Sequence, residues 1–489
     1  MPGRRRLRSS EQARAPLFAA LARYLQKDKA AFHTPGHKQG AAIDRQWIDL
    51  VGREIFRMDL TVLPETDCLF HPRSVIKEAQ ALAARAYGAA HSYFLVNGST
   101  GGNLSMLSGV LFPGDKVIVP RHSHKSVISG LILTGALPVY IHPQILKEWD
   151  LILNVSPDAV RTALEDNPGA RAVFVSSPTY HGICCDLEAI VKIAHLQDRI
   201  VMVDQAHGPH LAFHPHLPQS ASEAGADIWV ESTHKIISGL TQAAMLHVQG
   251  PNIDVRDVES VLLLTQTTSP SYLLLASLDL ARRQMALYGR KMLDRAINIA
   301  QELRAAINQI PGLYCLTAKE VAPFPLDPTK LTVFVDGLGL TGYQASRILN
   351  QHYDIQAEMA DWDHVAFIIS IADDAQSRDR LLSGLRGLAR DWRRRRRQKF
   401  DIKFPTDYPP LSLTPREAYF ASYRTVPLKQ AVGEIPTEFI TVYPPGIPVV
   451  VPGERITAEA VEYLEAMRRL GAIIVSPITK GSQYIRVVA

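Results

Sequence analysis

Short β-branched runs alternate with helical patterns between residues 74 and 248, and this alternation restricts the fold more than any other feature of the sequence. The predicted strands are 93–96, 117–119, 138–141, 172–175, 200–203, 228–231 and 243–248. The predicted helices are one from about residue 74 that ends at Gly88, and others near 103–111, 124–134, 157–166 and 186–197. Regular alternation of this kind predicts an α/β fold with a mostly parallel central sheet and helices on both faces.

Changes of pattern divide the 489 residues into several regions, as their length leads one to expect. The predicted regions are an N-terminal arm (1–72), a large domain (73–310), a smaller α/β domain (311–398) and a C-terminal domain (399–489). In the arm, one helix is predicted over 11–31, and the chain is predicted to be irregular from there to residue 72.

The sequence patterns after about residue 253 are less regular than those of the large domain. A helical stretch over about 253–309 leads out of the large domain and is broken by Pro311-Gly312. The smaller domain is predicted to hold two strands and two helices, at 331–335, 366–371, 342–352 and 376–392. The C-terminal domain is proline-rich, and the chain has no internal repeat.

The composition is that of a soluble globular protein, with 46% hydrophobic and 21% charged residues. Two arginine runs, Arg4–Arg6 with Arg8 and Arg393–Arg397, carry much of the net charge of +5. Neither run is interleaved with aromatic residues, so a solvated tail and helix end are predicted rather than a nucleic-acid partner.

Cellular location is predicted from what the sequence lacks. No apolar run approaches the roughly 20 residues that span a bilayer, and no secretory apolar region follows the first arginines. The four cysteines form no CxxC pair, which indicates a reducing compartment. The sequence therefore predicts a cytoplasmic protein without a membrane partner.

A carboxylate and an amine follow two neighbouring predicted strands. Asp204 ends the buried run 200–203, and Lys235 lies 31 positions later, after the strand 228–231. Side chains just past the carboxyl ends of parallel strands point into the ligand crevice. An Asp and a Lys in that crevice fit pyridoxal phosphate (PLP), because the amine can form a Schiff base while the carboxylate keeps the pyridine nitrogen protonated. A core aspartate beside a surface lysine is an equally open interpretation of this pair alone.

A glycine- and hydroxyl-rich segment over 96–103, which includes Ser99, Thr100 and Gly101, lies between a predicted strand and helix. Glycines let the backbone approach an anion, hydroxyls donate to it, and the helix N-terminus adds a favourable dipole. The segment is neither GxGxxG nor a Walker loop, which disfavours a dinucleotide or a nucleoside triphosphate. A purely structural turn is the alternative.

Histidines suggest two further interpretations. His124 follows another strand end, where an imidazole could lie flat on a pyridine ring, although a surface histidine beside a helix cap is the simpler alternative. His207, His210, His214 and His216 form a cluster, but prolines interrupt it and no thiolate or carboxylate completes a ligand set. A metal is therefore not predicted. A serine hydrolase is not predicted either, because no GxSxG segment is present.

Taken together, eight ordered segments resemble the bacterial ornithine/lysine/arginine decarboxylases, from about residue 16 to the C-terminus. They are TPGHK at 34–38, NGSTGGN at 97–103, RHSHKS at 121–126, SPTYHG at 177–182, VDQAHG at 203–208, STHK at 232–235, TTSPSYLLLASLD at 267–279 and YPPGIPVVVPGE at 443–454. The resemblance implies a PLP enzyme with the aspartate-aminotransferase fold. It is greatest to the short form of the family, which lacks an extra N-terminal wing domain and includes biosynthetic arginine decarboxylases.

The resemblance also assigns roles to residues. It makes Lys235 the Schiff-base lysine, Asp204 the partner of the pyridine nitrogen and His124 the residue stacked on the ring. The other predicted cofactor contacts are Ser99, Thr100, Gly101, Ser232 and His234 around the phosphate, Ala206 under the ring, His207 beside it, and Thr268 from the partner subunit of a dimer. Glu454 resembles an acidic residue near the substrate entrance, and the arm acids Asp59, Glu65 and Asp67 are further candidates to bind substrate. Large family members lack His207, and 68–72 is less acidic than the family pattern.

The function that the resemblance implies is α-decarboxylation of a basic amino acid in a homo-oligomer whose minimal unit is a dimer. Arginine, which would give agmatine and CO2 for polyamine biosynthesis, is favoured by family analogy. Lysine, which gives cadaverine, and ornithine, which gives putrescine, are alternative substrates. A different class of function, a catalytically silent homologue that regulates a decarboxylase, is disfavoured because Lys235, Asp204 and His124 are all present.

Overall fold

The structure is a computed structural model that describes residues 9–27, 29–392, 404–406, 408–443, 446–476 and 483–489. Both arginine runs, Arg4–Arg6 with Arg8 and Arg393–Arg397, lie outside the described residues, as do Pro444 and Pro445 of the last family segment. The solvated state predicted for the two runs therefore stays a prediction. Within the described ranges, no helix is both long enough and apolar enough to cross a membrane.

Helices occur from the N-terminal arm to the C-terminal region of the described chain. In chain order they are α1 (Ser9–Gln12), α2 (Pro16–Leu25), α3 (Arg45–Val51), α4 (Glu54–Met58), α5 (Val75–Tyr87), α6 (Gly98–Val110), α7 (Lys125–Thr134), α8 (Pro157–Asp166), α9 (Leu187–His195), α10 (Ala221–Ala224), α11 (Thr233–Ile236), α12 (Val255–Thr265), α13 (Tyr272–Ile307), α14 (Ala318–Val321), α15 (Gly342–Tyr353), α16 (Ala375–Asp391), α17 (Pro415–Phe420) and α18 (Ala458–Arg469).

The strands alternate with these helices through most of the chain. In chain order they are β1 (His91–Leu95), β2 (Lys116–Pro120), β3 (Leu137–Ile141), β4 (Ile145–Leu146), β5 (Leu151–Ile152), β6 (Ala170–Ser176), β7 (Ile200–Asp204), β8 (Ile228–Glu231), β9 (Ala244–Val248), β10 (Tyr314–Cys315), β11 (Lys330–Phe334), β12 (Met359–Ala360), β13 (His364–Ile368), β14 (Tyr423–Pro427), β15 (Ile440–Tyr443), β16 (Pro448–Val450), β17 (Ile473–Val475) and β18 (Tyr484–Val488).

The first of two compact units comprises the described residues up to Val110 together with Ile200–Leu293. In this unit β7 and β8 are parallel, whereas β9 runs antiparallel to β8 and to β1. Apolar side chains of α2, α5, β1, β9 and α13 form one buried cluster. The apolar stripe that predicts α5 faces this cluster, and Gly88 ends the helix with a left-handed φ of 76° that suits glycine.

The second compact unit comprises Leu111–Arg199 and the described residues from Asp294 onward. Here β2 runs parallel to both β3 and β6. A separate antiparallel sheet, in the order β10-β11-β13-β12, packs with α15, α16 and the end of α13 around its own buried cluster. Strands β14 to β18 and helix α18 form another cluster near the C-terminus.

Most elements of the predicted large domain are confirmed. The predicted helix 157–166 coincides with α8, and the seven predicted strands each overlap a strand to within two residues at either end. Two predictions for the arm are wrong. Pro16 starts a new helix, so 11–31 is not continuous, and the supposedly irregular part contains α3 and α4. The predicted stretch 253–309 is likewise two helices, α12 and α13.

Gly102 lets α6 lie close to the sheet, because a Cβ at this position would stand 2.2 Å from Val230 Cγ2 and 2.9 Å from Leu95 Cδ1. We expect Gly102→Ala to lower the denaturant midpoint by the equivalent of about 1–3 kcal/mol, the usual cost of overpacking. Urea unfolding followed by circular dichroism measures this. Gly169→Ala is the control, since no atom lies within 4 Å of its added Cβ. Equal midpoints for the two variants would contradict the close packing.

Candidate active site

Asp204 is the last residue of β7, a strand whose five residues are all buried. Its carboxylate is 7% exposed and accepts two hydrogen bonds, from Asn103 Nδ2 to Oδ2 (2.8 Å) and from the Ala206 backbone N–H to Oδ1 (3.0 Å). The two bonds, one to each oxygen, fix the orientation of the carboxylate. Asp204 is therefore an oriented acceptor at a strand end.

Lys235 lies in the short helix α11, directly after the neighbouring parallel strand β8. Its Nζ atom lies 2.7 Å from Nε2 of His207, in the turn that follows β7, so the two atoms share a hydrogen bond. His207 is 5% exposed. The structure thus brings two predicted site residues into contact, and it gives His207 a role toward the lysine amine.

The N-terminus of α6 supplies the predicted anion cradle. The helix has 13 residues and begins at Gly98, so the hydroxyls of Ser99 and Thr100 lie in its first turn. Ser99 Oγ lies 2.8 Å from Oγ of Ser232, the residue before α11. A helix N-terminus with converging hydroxyls favours a phosphate group.

Sequence reasoning assigned no role to Asn103, although it lies within the segment 97–103. Ser99 and Asn103 are four residues apart, which places them on one face of α6. Ser99 contacts Ser232, and Asn103 contacts Asp204, so this face spans from the phosphate cradle to the carboxylate. The i, i+4 spacing of Ser99 and Asn103 was the available signal, although α6 also contains Thr100, Ser105 and Ser108.

Three further predicted contacts lie in the first unit. Ala206 is buried after the turn at Asp204, and His234 Nδ1 lies 3.0 Å from the carbonyl oxygen of Ala243. Thr268 is exposed in the link between α12 and α13. Their predicted roles toward a cofactor or a partner subunit stay predictions.

His124 belongs to the second unit, where it caps the N-terminus of α7. Its Nδ1 atom accepts a hydrogen bond from the Ser126 backbone N–H (3.2 Å), so the proton of a neutral His124 resides on Nε2. Gly446 lies against the ring, and its carbonyl accepts a bond from the Lys125 backbone N–H. The predicted stacking of His124 on a cofactor ring stays a prediction.

Glu454 is buried and bonded at both carboxylate oxygens to Arg121, each at 2.8 Å. The guanidinium also donates to the carbonyls of Pro448 and Val449. Burial alone would lower the pKa of Arg121, but the Glu454 carboxylate raises it above its ordinary value. The pair fixes the C-terminal segment to the loop that carries His124, a role that the sequence did not indicate.

We expect Glu454→Gln to lower the free energy of unfolding by about 3 kcal/mol, because it leaves Arg121 buried without a charge partner. The urea midpoint measures the loss. The matched control is Glu462→Gln, an exposed residue on α18. The double variant Arg121→Met/Glu454→Leu should recover most of the stability, and a Glu454→Gln midpoint equal to that of the control would contradict the prediction.

The arm acids have different surroundings. The Asp67 carboxylate accepts bonds from the backbone N–H groups of Cys68, Arg73, Ser74 and Ile76. Asp59 lies 3.2 Å from His37 Nε2, and Glu65 forms an ion pair with Lys29. The Asp67 carboxylate is thus hydrogen-bonded to backbone N–H groups, whereas Asp59 and Glu65 contact side chains. Substrate binding by these acids stays a prediction.

A metal site was not predicted, and among the described residues no group of three or more His, Cys, Asp or Glu side chains could hold a metal ion. PLP is the better chemical fit to the first unit. An oriented carboxylate, a lysine amine and a hydroxyl-lined helix N-terminus match its pyridine nitrogen, aldehyde and phosphate, respectively.

Comparisons with known proteins agree with this fit. The major-domain model of the Orn/Lys/Arg decarboxylases matches residues 15–377, and the C-terminal-domain model of the same family matches residues 400–473. The arginine decarboxylase of Bacillus anthracis is 38% identical over 483 residues, 98% of each chain. A lysine decarboxylase of Pseudomonas aeruginosa is 25% identical, over 93% of this chain and 76% of its own.

Solved structures support the fold. A lysine decarboxylase of Francisella novicida superposes with a TM-score of 0.83 at 22% identity, over 98% of this chain and 82% of its own. The predicted α/β class with a mostly parallel central sheet is confirmed. The chain therefore belongs to the Orn/Lys/Arg decarboxylase family, whose members are pyridoxal-phosphate-dependent amino-acid decarboxylases.

Proposed function

We propose that this enzyme removes the α-carboxylate of arginine and releases agmatine and CO2. The observation that carries the proposal is the delivery of Asp204 and Lys235 by two neighbouring parallel strands, with the cradle of α6 in the same compact unit. The greater identity to the arginine decarboxylase than to the lysine decarboxylase supports arginine as the substrate.

The residues of the first unit would hold the cofactor. Ser99, Thr100 and Gly101 of α6, with Ser232 and His234 around α11, would bind the phosphate. Asp204 would pair with the pyridine nitrogen, Ala206 would pack under the ring, and Thr268 would reach the phosphate of the partner subunit. When bound, PLP supplies an electron sink for the pair released from the Cα–carboxylate bond.

Each polar contact then has a defined role. Asn103 and the Ala206 backbone N–H fix the direction of the Asp204 carboxylate, which would hold a proton on the pyridine nitrogen of the cofactor. His207 Nε2 lies within hydrogen-bond distance of Lys235 Nζ and would orient the amine that acts as the nucleophile. His124, whose neutral form carries its proton on Nε2, and Lys235 are the two candidates to return a proton to Cα.

The planar guanidinium of arginine is bound best by a carboxylate that accepts two parallel hydrogen bonds, whereas the ammonium of lysine needs only a nearby negative charge. Of the four predicted substrate acids, Glu454 is bonded to Arg121 and Asp67 to the backbone. Asp59 and Glu65 are therefore the better candidates to bind the guanidinium, because their present partners are side chains near the surface that a substrate cation could replace.

We infer further that the enzyme is a cytoplasmic homodimer or higher oligomer that acts in polyamine biosynthesis, without nucleic-acid or membrane partners. The dimer follows from the proposed role of Thr268 across an interface. The division into an arm (1–72), large domain (73–310), smaller domain (311–398) and C-terminal domain (399–489) is likewise a proposal.

The test is a product assay on purified holoenzyme, with arginine, lysine and ornithine offered in parallel at equal concentration. We expect CO2 and agmatine from arginine at the greatest kcat/KM. Greater efficiency with lysine or ornithine would overturn the choice of substrate. A silent homologue would instead release no CO2 from any of the three, and it would show no visible cofactor absorbance that borohydride removes.

A further inference from the structure

A cavity of about 60 Å³ lies within the second compact unit. Its polar lining comes from the loop after β2, the β4–β5 hairpin, the segment after β6 and the turn before β13; its histidines and aspartates are His122, Asp150, His181, Asp361, Asp363 and His364. One water-sized group needs roughly 10–15 Å³ on this scale, so the cavity holds about four to six such groups.

Two buried imidazoles in the lining have ring nitrogens without a hydrogen-bond partner within the described part of the chain. Neither ring nitrogen of His122 has one, although the side chain is only 5% exposed. The side-chain amide of the nearby Asn154 is hydrogen-bonded to the backbone instead. Its Nδ2 donates to the carbonyls of Ser176 and Ile183, and its Oδ1 accepts from the Val155 N–H. In His364, Nδ1 bonds to Asp363 at 2.6 Å, whereas buried Nε2 has no partner. Buried polar atoms without a hydrogen-bond partner destabilise the folded state unless a ligand or a water molecule bonds to them.

The charges around the cavity favour a cation. Burial lowers the pKa of His122 to about 4 and that of His181 well below its ordinary value, so both rings are neutral at pH 7. Burial alone would also lower the pKa of His364, but Asp363 and Asp361 raise it, which favours the imidazolium. The lining holds three carboxyl groups, those of Asp150, Asp361 and Asp363, beside this one imidazolium. Burial and the neighbouring Asp363 raise the pKa of Asp361, and a bound cation would favour its ionised form.

One carboxylate oxygen is open to a ligand. Asp361 Oδ1 accepts bonds from the Trp362 backbone N–H (2.7 Å) and the Tyr343 hydroxyl (3.3 Å), and Oδ2 has no partner among the described residues. A neutral His122 has one acceptor nitrogen, which suits a second N–H donor of the same ligand.

The apolar part of the lining suits an alkyl chain beside that charge. It is formed by aromatic and aliphatic side chains: Trp149, Leu151, Ile152, Trp362, Val449 and Tyr463. Aromatic faces also attract organic cations directly. A guanidinium on a short methylene chain matches this combination of size, charge and polarity better than an anion or a neutral sugar.

We propose that this cavity binds the cationic end of a basic amino acid or of the amine formed from it, with Asp361 Oδ2 as the charge partner and His122 as an acceptor. The inference rests on the proposed function for the identity of the cation. The cavity also adjoins the loop of His124, because His122 lies two residues before it and Ile447 of the lining follows Gly446, which contacts its ring.

Asp361→Asn removes the charge while keeping the shape of the side chain. On the holoenzyme, KM for arginine would be measured by CO2 release, and agmatine binding by titration calorimetry. Loss of a charge-assisted contact should weaken the affected constant about tenfold, which corresponds to about 1.4 kcal/mol. If the occupant is the substrate, KM rises about tenfold with a smaller change in kcat. If the occupant is the product, agmatine binding weakens about tenfold while KM for arginine is unchanged.

Two further variants make the test decisive. Ile152→Trp fills the cavity from a half-buried position without altering a charge, and it should produce the same shift as Asp361→Asn. Asp379→Asn removes an exposed carboxylate on α16 and should leave both constants unchanged. If KM and agmatine binding both stay within twofold of wild type in Asp361→Asn and Ile152→Trp, the cavity proposal is overturned. Absence of CO2 release from the wild type would instead overturn the proposed function, and agmatine calorimetry would still test the cavity.

Discussion

Lys235→Ala should lower kcat for decarboxylation by on the order of 10³-fold or more, because it removes both the nucleophilic amine and a candidate proton donor. The variant should also lose covalent cofactor attachment. Intact-protein mass spectrometry after borohydride reduction would find the cofactor mass on the wild type and not on the variant. The substitution shortens a partly buried side chain whose Nζ contacts His207, so the fold should survive.

The control for this experiment is Lys77→Ala, which removes an exposed lysine on α5 in the same compact unit. It should retain activity and the reducible cofactor. Full activity of Lys235→Ala, or cofactor attached to a different lysine, would refute the assignment of the amine.

Asp204→Ala should lower kcat by on the order of 10²–10³-fold, the usual effect of removing a preoriented electrostatic partner. Asn103→Ala should act in the same direction with a smaller loss, because Asp204 keeps the bond from the Ala206 backbone N–H. Steady-state kinetics with arginine, together with the visible spectrum of the bound cofactor, would measure both effects.

Asp257→Asn, an exposed residue of α12, is the matched control for loss of a carboxylate in the same unit. An Asp204→Ala variant with the kcat of this control would show that the carboxylate plays no part in the chemistry. A loss of the same size in Asn103→Ala would mean that orientation matters as much as charge.

The residues at strand ends could be predicted from the sequence, since buried β-branched runs mark β7 and β8 and the carboxyl ends of parallel strands lie at one edge of a sheet. The partner of Asp204 could not be predicted in the same way. Which polar side chain of α6 contacts β7 depends on how the helix packs, and local sequence does not encode that distance. The antiparallel direction of β9 was hidden for a similar reason, because a buried strand has the same apolar pattern in either direction.

The arm was predicted least well. Helix α3 has only seven residues and none of them is buried, so its apolar residues Trp47, Leu50 and Val51 form too short a pattern to indicate a helix. The pair of Arg121 and Glu454 joins residues 333 positions apart, and no local pattern connects them. The cavity in the second unit could not be predicted either, because even its polar lining comes from four segments that are far apart in the sequence.

The bonding of Asp67 makes the packing of the N-terminal region dependent on one ionised carboxylate. Burial alone would raise the pKa of Asp67, but four backbone N–H donors from 68–76 hold it below its ordinary value of 3.8. Its stabilising contribution is therefore complete above a pH of about 4 and disappears as the pH falls through the lower pKa of the folded protein. Tyr272, at the start of α13, donates a hydrogen bond to the Asp67 backbone carbonyl, so the segment that this carboxylate orders also contacts one end of the longest described helix.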